Sequence, residues 1–285
     1  MTFFKGVTMS TLLRKANLCD SGKVQSINRS DAGWKFVEFE LMKLQPGERI
    51  ANKQDDLETC VVVVSGIVHL STDQITDSRI GERMSPFERI KPWAFYAPAG
   101  TEYRIEANTA CELAICMAPQ DSASDPLPPR IITPDDIQAE HRGKGNNRRL
   151  VHNILPETEP ASRLLVVEVY TDEGNTSSYP SHKHDSEDYP NETYLEEIYY
   201  HRIDPDQGFV FQRVYTDDRS LDQSMAAYDN DVVMVPRGYH PVATVAGYDS
   251  YYLNVMAGPV RKWCFTWEKD HNWVNGPDYP KTQPE

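Results

Sequence analysis

The amino-acid sequence predicts an all-β protein made of two β-sandwich or β-barrel domains in tandem. Short apolar or alternating stretches recur at close spacing and end at Pro- and Gly-containing turns, which is typical of antiparallel sheets. Aromatic residues, which favour strands, make up 10% of the 285 residues, and 20 Pro and 15 Gly are available for turns. No long helical period is found, and two domains of about 120 residues fit this pattern better than one large domain.

In the first half, each predicted strand is followed by a turn or closes the domain. The first strand alternates between polar and apolar residues and meets the turn Gln45-Pro46-Gly47. The predicted strands are residues 36–44, 61–64, 90–97 and 112–117. Residues 1–120 are therefore assigned to a first β domain.

The second half repeats this rhythm after a polar connector. Residues 121–150 are rich in Pro and polar residues, so we predict a connector with one helical turn that begins at Pro134 and is capped by Thr133. Residues 151–285 are assigned to a second β domain, with strands at residues 164–170, 198–203, 209–215, 232–235 and 251–256.

Charge and cysteine content exclude several classes of protein. Lys and Arg total 29 and Asp and Glu total 43, so the net charge is −14 and no nucleic-acid or membrane partner is expected. No apolar run approaches the ~20 residues of a membrane span, and no secretory signal is recognised. The choice between Met1 and Met9 as the start is left open. The five cysteines are scattered, which favours free thiols and a cytoplasmic location.

Five of the eight histidines follow Ser181, and three of them have the spacing of metal ligands. His182 and His184 flank one residue, so on a strand both imidazoles face the same side. Glu197 follows at the start of a strand, and His240 follows the turn Pro236-Arg237-Gly238. Three imidazoles and a carboxylate suit Zn²⁺, Mn²⁺ or Fe²⁺. A single His-x-His motif on a polar stretch is more often a surface feature. Here the order of the motifs, His-x-His followed by Glu and then by Pro-x-Gly-x-His, favours a metal site.

These motifs resemble those of the cupins, and longer stretches resemble one isomerase family. Residues 194–202, 207–219, 231–241 and 251–259 are similar to the 5-deoxy-glucuronate isomerase family of inositol catabolism. Shorter matches at residues 12–15, 32–34 and 98–103 extend the resemblance over nearly the whole chain.

The resemblance implies a bicupin, with two jelly-roll barrels in tandem and the metal in the second barrel. The first barrel has no histidine pair and is expected to lack metal ligands. The implied reaction converts 5-deoxy-D-glucuronate to 2-deoxy-5-keto-D-gluconate, an aldose–ketose isomerisation of a small anionic sugar acid. The expected cofactor is a divalent metal ion, with Zn²⁺ preferred over Mn²⁺ or Fe²⁺. Because cupins expose sheet edges, we also expect a homo-oligomer.

The isomerisation needs metal ligands, a base, and groups that hold the substrate. The metal ligands are His182, His184, Glu197 and His240; Glu197 is preferred to Glu196 because its strand phase also includes Tyr199 and His201. The base is His201, Glu196 or a hydroxide ion at the metal. Candidates for the substrate carboxylate are Lys183, Arg213, Arg219 and Arg237, and candidates for its hydroxyls are Tyr199, Tyr239 and Tyr252. Arg213 shares a strand face with three aromatic residues and is expected to point into the barrel. The ordinary alternatives are a packed strand histidine for His201 and surface ion pairs for the arginines.

Three other functions remain open. Three His and one Glu also hold iron in cupin dioxygenases, and those enzymes need oxygen. A sugar-sensing or storage bicupin would need no intact ligand set. The uronate ketol-isomerase of pectin breakdown is similar in fold and chemistry but differs in its substrate.

Overall fold

Nearly all regular structure in the protein is β-strand. The computed structural model describes residues 11–17, 22–76, 78–122 and 127–280. Helices in these ranges are short: an α-helix at Arg29–Ala32 and 3-10 helices at Pro86–Glu88, Gly145–Asn147 and Asn272–Asn275. The predicted all-β class is therefore confirmed. Met9 and Cys19 lie outside the described residues.

The strands follow one another closely along the chain. Those of the first half are β1 (Leu13–Arg14), β2 (Lys23–Ile27), β3 (Glu38–Leu44), β4 (Arg49–Lys53), β5 (Leu57–Ser65), β6 (Val68–Thr72), β7 (Ser78–Ile80), β8 (Trp93–Ala97), β9 (Glu102–Ala107), β10 (Cys111–Pro119) and β11 (Arg130–Ile132). Those of the second half are β12 (Gln138–Arg142), β13 (Arg149–Leu155), β14 (Leu165–Thr171), β15 (Thr176–Ser177), β16 (His182–Lys183), β17 (Glu196–Asp204), β18 (Phe209–Tyr215), β19 (Asp222–Tyr228), β20 (Val232–Val235), β21 (Val242–Thr244), β22 (Asp249–Ala257) and β23 (Thr266–Trp267).

Each half of the chain forms a barrel from a large and a small antiparallel sheet. In the first barrel the large sheet has the order β11-β8-β5-β10-β3-β2 and the small sheet β4-β9-β6-β7. In the second barrel the large sheet has the order β1-β20-β17-β22-β14-β13-β12 and the small sheet β15-β21-β18-β19. A separate pair, β16-β23, lies in the second half. Every strand expected from the sequence is found within these sheets.

The connecting segment contributes strands to both barrels. β11 pairs with β8 of the first barrel, whereas β12 and β13 extend the large sheet of the second. Residues 134–136 form a turn instead of the expected helical turn. The reason is local, because the Asp136 carboxylate accepts hydrogen bonds from Thr133 N and Oγ1 and holds the turn closed. In addition, β1 pairs with β20, so the start of the described chain belongs to the second barrel.

The two large sheets pack against each other between the barrels. Along β5, Cys60, Val62 and Val64 belong to a core shared with the second half, whereas Val61 and Val63 belong to the interior of the first barrel. Both faces of the strand are therefore buried, which explains why residues 61–64 are continuously apolar instead of alternating.

An ion pair crosses this shared core. Arg83 of the first half donates to both carboxylate oxygens of Glu168 of the second half at 2.8 Å, and both side chains are buried. Glu168 also accepts hydrogen bonds from Tyr170 (2.9 Å) and Tyr251 (3.1 Å), and its Oε1 lies 2.7 Å from His152 Nδ1. Burial alone would raise the pKa of Glu168, but the Arg83 charge and hydrogen bonds outweigh it and lower the pKa to about 2.

The interior of the first barrel is filled by packed side chains. Leu70, Phe95 and Ile105 are fully buried there, and Tyr103 packs against Phe95 with 5.6 Å between ring centroids. This apolar core supports the shape of the barrel. Within the described ranges, no helix has the length and apolar character that crossing a membrane requires.

Candidate metal centre

Two histidines on β16 face the same side of the second barrel. β16 pairs with β23, which places His182 opposite Trp267. Because side chains alternate along an extended chain, His182 and His184 point to one side and Lys183 to the other. Leu195 N donates to His184 O at 3.0 Å, which anchors the end of this segment next to the start of β17.

A tight turn brings the third histidine to the same place. His240 follows β20 through residues 236–239, where Gly238 has a φ of 89°. A Cβ atom at Gly238 would lie 2.4 Å from Tyr215 O, so a larger residue does not fit against the neighbouring strand. The Gly238 carbonyl accepts a hydrogen bond from His240 Nδ1 at 2.8 Å and orients the imidazole. The Pro-x-Gly-x-His pattern therefore has a physical basis.

The three imidazoles and one carboxylate form a buried cluster. The candidate ligand atoms of His182, His184 and His240 all lie within 4.8 Å of one another. Glu197 Oε2 is 3.2 Å from His184 Nε2 and 3.1 Å from His240 Nε2. Within the described part of the chain, no second group of three or more such side chains is this close together. The structure thus brings together the four predicted metal ligands.

The hydrogen bonds of the cluster fit a bound cation. His184 Nδ1 and His240 Nδ1 each face a backbone carbonyl, at 3.0 and 2.8 Å, so each must carry a proton. When the rings are neutral, their Nε2 lone pairs then face the Glu197 carboxylate, an arrangement that a shared cation stabilises. Two buried nitrogens, His182 Nδ1 and His240 Nε2, have no hydrogen-bond partner. The cluster is therefore suited to a divalent metal ion.

The electrostatic environment favours neutral imidazoles at two of the three positions. Burial, with a smaller contribution from His240 and His184, holds the pKa of His182 well below its usual value. Burial also lowers the pKa of His240, although the Glu197 charge opposes it. Burial acts in the same direction on His184, but its hydrogen bond with Glu197 and the Glu197 charge raise the pKa overall. The neutral form is the one that binds metals.

Glu196 lies on the opposite face of β17 from Glu197. Its carboxylate accepts hydrogen bonds from the backbone N–H groups of residues 35–37 at 2.7 to 3.1 Å, in the first half of the chain. It is fully buried there and does not reach the histidine cluster. Glu196 is therefore not retained as a base, because strand alternation directs it away from the barrel interior.

Tyr199 is the predicted substrate-binding residue that adjoins the cluster. Its ring centroid lies 5.7 Å from that of His240 and 4.8 Å from that of Tyr252. The Tyr199 hydroxyl shares a hydrogen bond of 2.8 Å with Ser178 Oγ, and Tyr252 lies 3.3 Å from the same oxygen. These three hydroxyl groups form a polar patch beside the candidate metal ligands.

His201 is in the barrel interior, where it packs against Tyr199 and Tyr252 instead of joining the cluster. Its Nε2 faces Gln212 Oε1 at 2.9 Å, and burial lowers its pKa to about 4. The imidazole is therefore neutral near pH 7. His201 is thus a packed strand histidine bonded to a neighbour, which was the ordinary alternative to a catalytic base.

The strand phase predicted for Arg213 is corrected by the structure. On β18 the residues Val210, Gln212 and Val214 are buried, whereas Phe211 is 53% exposed. Arg213 shares this outer face, donates to both oxygens of Asp222 at 2.7 and 2.8 Å, and lies over the Tyr215 ring. The aromatic residues that suggested an inward face are on the outer face, so Arg213 does not point into the barrel.

Three other predicted substrate-binding residues also lie away from the cluster. Lys183 pairs with Asp185 and Asp217, both at 3.0 Å, on the side of β16 opposite the histidines. Tyr239 donates to Asp217 at 2.9 Å, and the Arg237 side chain is exposed in its turn. Lys183 and Tyr239 are each adjacent in sequence to a predicted ligand, and the alternation that directs the ligands inward directs these two side chains away from the cluster. Arg237 lies within the turn that precedes His240.

Two aromatic residues near the C-terminus lie against the cluster. The ring centroids of Phe265 and Trp267 are 4.9 and 5.6 Å from that of His182. The pairing of β23 with β16 causes this contact. Their place in the site could not be predicted from the sequence, because a two-residue strand leaves no detectable period. Ser178 was also missed, and its φ of 47° has no signal in the sequence.

The adjacent pair Glu196 and Glu197 gives a matched test of these placements. We expect Glu197→Gln to weaken metal binding at least about tenfold, since changes to residues behind the ligands already cost 10–100-fold. Glu196→Gln should leave metal content unchanged but lower the melting temperature, because the amide nitrogen that replaces one carboxylate oxygen cannot accept from the backbone N–H groups bound there. Metal analysis and thermal unfolding of both variants measure this. Metal loss in Glu196→Gln alone would reverse the assignment.

Comparison with known proteins gives consistent matches over nearly the whole chain. The model of the KduI/IolB family matches residues 12–274. The 5-deoxy-glucuronate isomerase of Geobacillus kaustophilus is 49% identical over 90% of this chain and 91% of its own length. The protein of the same name from Bacillus subtilis strain 168 is 45% identical, over 93% of this chain and 99% of its own length. The resemblance inferred from the sequence motifs is confirmed.

Solved structures agree with this result. The crystal structure of an IolB-like protein from Salmonella typhimurium LT2 is 55% identical, with a TM-score of 0.90 over 93% of this chain and 100% of that chain. Oxalate decarboxylase of Lactobacillus farciminis is only 13% identical, with a TM-score of 0.63 over 92% of this chain and 90% of that chain, and shares the fold alone. The predicted bicupin fold is confirmed. The chain belongs to the KduI/IolB family.

Proposed function

We propose that this protein is an aldose–ketose isomerase that converts 5-deoxy-D-glucuronate to 2-deoxy-5-keto-D-gluconate. The observation that carries the proposal is the buried cluster of His182, His184, His240 and Glu197 in the second barrel. It is supported by relatives at 45–49% identity that bear the name 5-deoxy-glucuronate isomerase.

The cluster can supply the main chemical requirement of the reaction. A proton must leave the carbon next to a carbonyl and return to the neighbouring carbon, and negative charge develops on oxygen meanwhile. His182, His184, Glu197 and His240 would hold a divalent ion, which would act as a Lewis acid and stabilise this charge. We propose Zn²⁺, with Mn²⁺ and Fe²⁺ as alternatives, because imidazole and carboxylate ligands accept all three.

The chain's own residues orient the ligands and the substrate. The carbonyls of Leu195 and Gly238 fix the tautomers of His184 and His240, so Nε2 of each ring is presented to the ion. Tyr199 is positioned to hydrogen-bond a sugar hydroxyl. Half-buried Phe265 and Trp267 pack on His182 and exclude water from that side of the cluster.

An isomerisation assay tests this function against the alternatives. The purified protein should convert 5-deoxy-D-glucuronate to the ketose, act at least about tenfold more slowly on an unsaturated uronate, and work equally well without oxygen. Turnover that stops when oxygen is removed would indicate a dioxygenase. Preference for the unsaturated uronate would indicate the pectin-pathway reaction, and the absence of any turnover would favour a binding protein.

The location and assembly of the protein remain proposals. The described cysteines, Cys60, Cys111, Cys116 and Cys264, are free thiols, which supports the cytoplasm as the compartment. We also retain the prediction of a homo-oligomer without nucleic-acid or membrane partners. The native mass of the protein in solution tests the predicted homo-oligomer.

A further inference from the structure

Arg149 is a cation on the inward face of the second barrel. It begins β13 and lies two residues before Val151, which belongs to the interior core together with Tyr199 and Tyr252. Residues two apart on a strand share a face, so the Arg149 side chain is directed to the same interior. The residue is partly buried, and burial is the main cause that lowers its pKa.

One edge of the Arg149 guanidinium is fixed and the other is free. Nη1 donates to the backbone carbonyl of Asn147 at 2.9 Å and to its side-chain oxygen at 3.2 Å. The loop closes tightly here, since a Cβ atom on Gly143 would lie 2.0 Å from Asn147 O and 2.9 Å from Arg149 Nη1. Nε and Nη2 donate to no protein group among the described residues. These two donors form the edge of a guanidinium that binds a carboxylate in bidentate fashion.

Arg149 makes no salt bridge within the described ranges, although the Glu140 charge raises its pKa slightly from a distance. Glu140, on the neighbouring strand, pairs instead with Arg142. Other arginines of the second half are matched by acids: Arg202 by Glu112 and Asp229, and Arg213 by Asp222. A partly buried cation without a direct ion pair is unfavourable unless a ligand supplies the negative charge.

The charge of Arg149 acts on the groups that line the candidate site. The nearby hydroxyls of Tyr252 and Tyr199 oppose the effect of burial on its pKa. Both tyrosines belong to the same interior core as Val151, and the Tyr199 ring centroid lies 5.7 Å from that of His240. The Arg149 guanidinium, the tyrosine hydroxyls and the histidine cluster therefore face the same barrel interior, where a single small ligand can be bound.

We propose that Arg149 binds the carboxylate of the sugar-acid substrate through Nε and Nη2, and thereby selects acidic over neutral aldoses. This assignment rests on the proposed isomerase function. Arg149 replaces Arg213, Arg237 and Lys183 in that role, since those three side chains lie on outer surfaces or in ion pairs. It is a specificity-determining residue, and Asn147 is its positioning residue.

The test compares Arg149→Gln and Arg149→Lys with the control Arg148→Gln, which removes the same charge from an exposed neighbour. Each is assayed with 5-deoxy-D-glucuronate and with the same aldose carrying a hydroxymethyl group in place of the carboxylate. Arg149→Gln should reduce kcat/KM for the acid roughly 100-fold or more, mainly through KM, and change the neutral aldose little. Arg149→Lys should recover part of the loss, while Arg148→Gln and the metal content of all variants stay as in the wild type.

Each of the other possible outcomes would overturn the role assigned to Arg149. An equal loss on the acidic and neutral aldoses, or lost metal, would make Arg149 a structural residue and overturn the assignment. Unchanged kcat/KM for the acid in Arg149→Gln would overturn it as well, while leaving the isomerase function in place. A wild type that isomerises neither sugar would overturn the proposed function itself, and this assignment with it.

Discussion

Replacing His184 and His240 together by alanine is expected to reduce isomerase activity about 1000-fold or more, because loss of the Lewis acid removes several kcal/mol of transition-state stabilisation. Both imidazoles present Nε2 towards Glu197, and their Nδ1 atoms are held by backbone carbonyls. Without them the remaining ligands, His182 and Glu197, cannot hold the ion tightly. Activity and bound metal, measured on the same preparation, should fall together.

The control for this double variant is His271→Ala. His271 is another late histidine, 40% exposed, and its imidazole lies 3.5 Å from Glu268 outside the cluster. It should retain metal and activity. Circular dichroism should show that the double variant keeps its β structure, since the barrel core is formed by apolar residues. Substantial activity in the folded, metal-depleted double variant would contradict the proposed role of the cluster.

Arg83→Met is expected to destabilise the protein by about 3–5 kcal/mol, since it leaves the buried Glu168 carboxylate without its cation. Arg83 supplies two hydrogen bonds to Glu168 and one to the Tyr170 hydroxyl, all at 2.8 Å. Arg83 lies in a loop of the first half and also donates to the Val64 carbonyl of β5, so the pair links the two barrels and its loss weakens their contact. Chemical denaturation followed by fluorescence and circular dichroism gives the free energy of unfolding.

Arg79→Met is the matched control, because Arg79 is exposed on β7 and its loss should change stability by less than about 0.5 kcal/mol. The stability that the Arg83–Glu168 pair contributes to the wild type should also depend on pH, in a defined direction. Since the pKa of Glu168 is lowered to about 2, its contribution is fully present above the ordinary carboxyl pKa and is lost as the pH falls towards 2. Equal stability of Arg83→Met and wild type at pH 7 would disprove the importance of the pair.

The sequence predicted the strands better than the faces of the strands. β18 and β20 were placed with their observed bounds, because β-branched and aromatic residues between turn signals mark buried strands well. The exposed edge strand β12 was missed, since residues 138–142 are polar and have no apolar period. Its pairing with β13 is a tertiary effect that no local pattern records.

The metal ligands were predictable because their spacing in the sequence determines how their side chains are arranged in space. The alternation of His182 and His184, and the glycine turn before His240, are encoded over a few residues. The surroundings were not predictable, because β17 is buried on both faces and its sequence does not show which face lines the barrel. Arg213 was placed inside the barrel because the aromatic residues on its strand face suggested an interior, and Arg149 was assigned to a connector because it ends a polar run.

The most direct test of the account is the isomerisation rate as a function of metal bound to the protein. Chelated protein should be folded and inactive towards 5-deoxy-D-glucuronate, and activity should return in proportion to added divalent metal until about one ion is bound per chain. Full activity in the metal-free protein, or a rate independent of bound metal, would contradict the role assigned to His182, His184, Glu197 and His240.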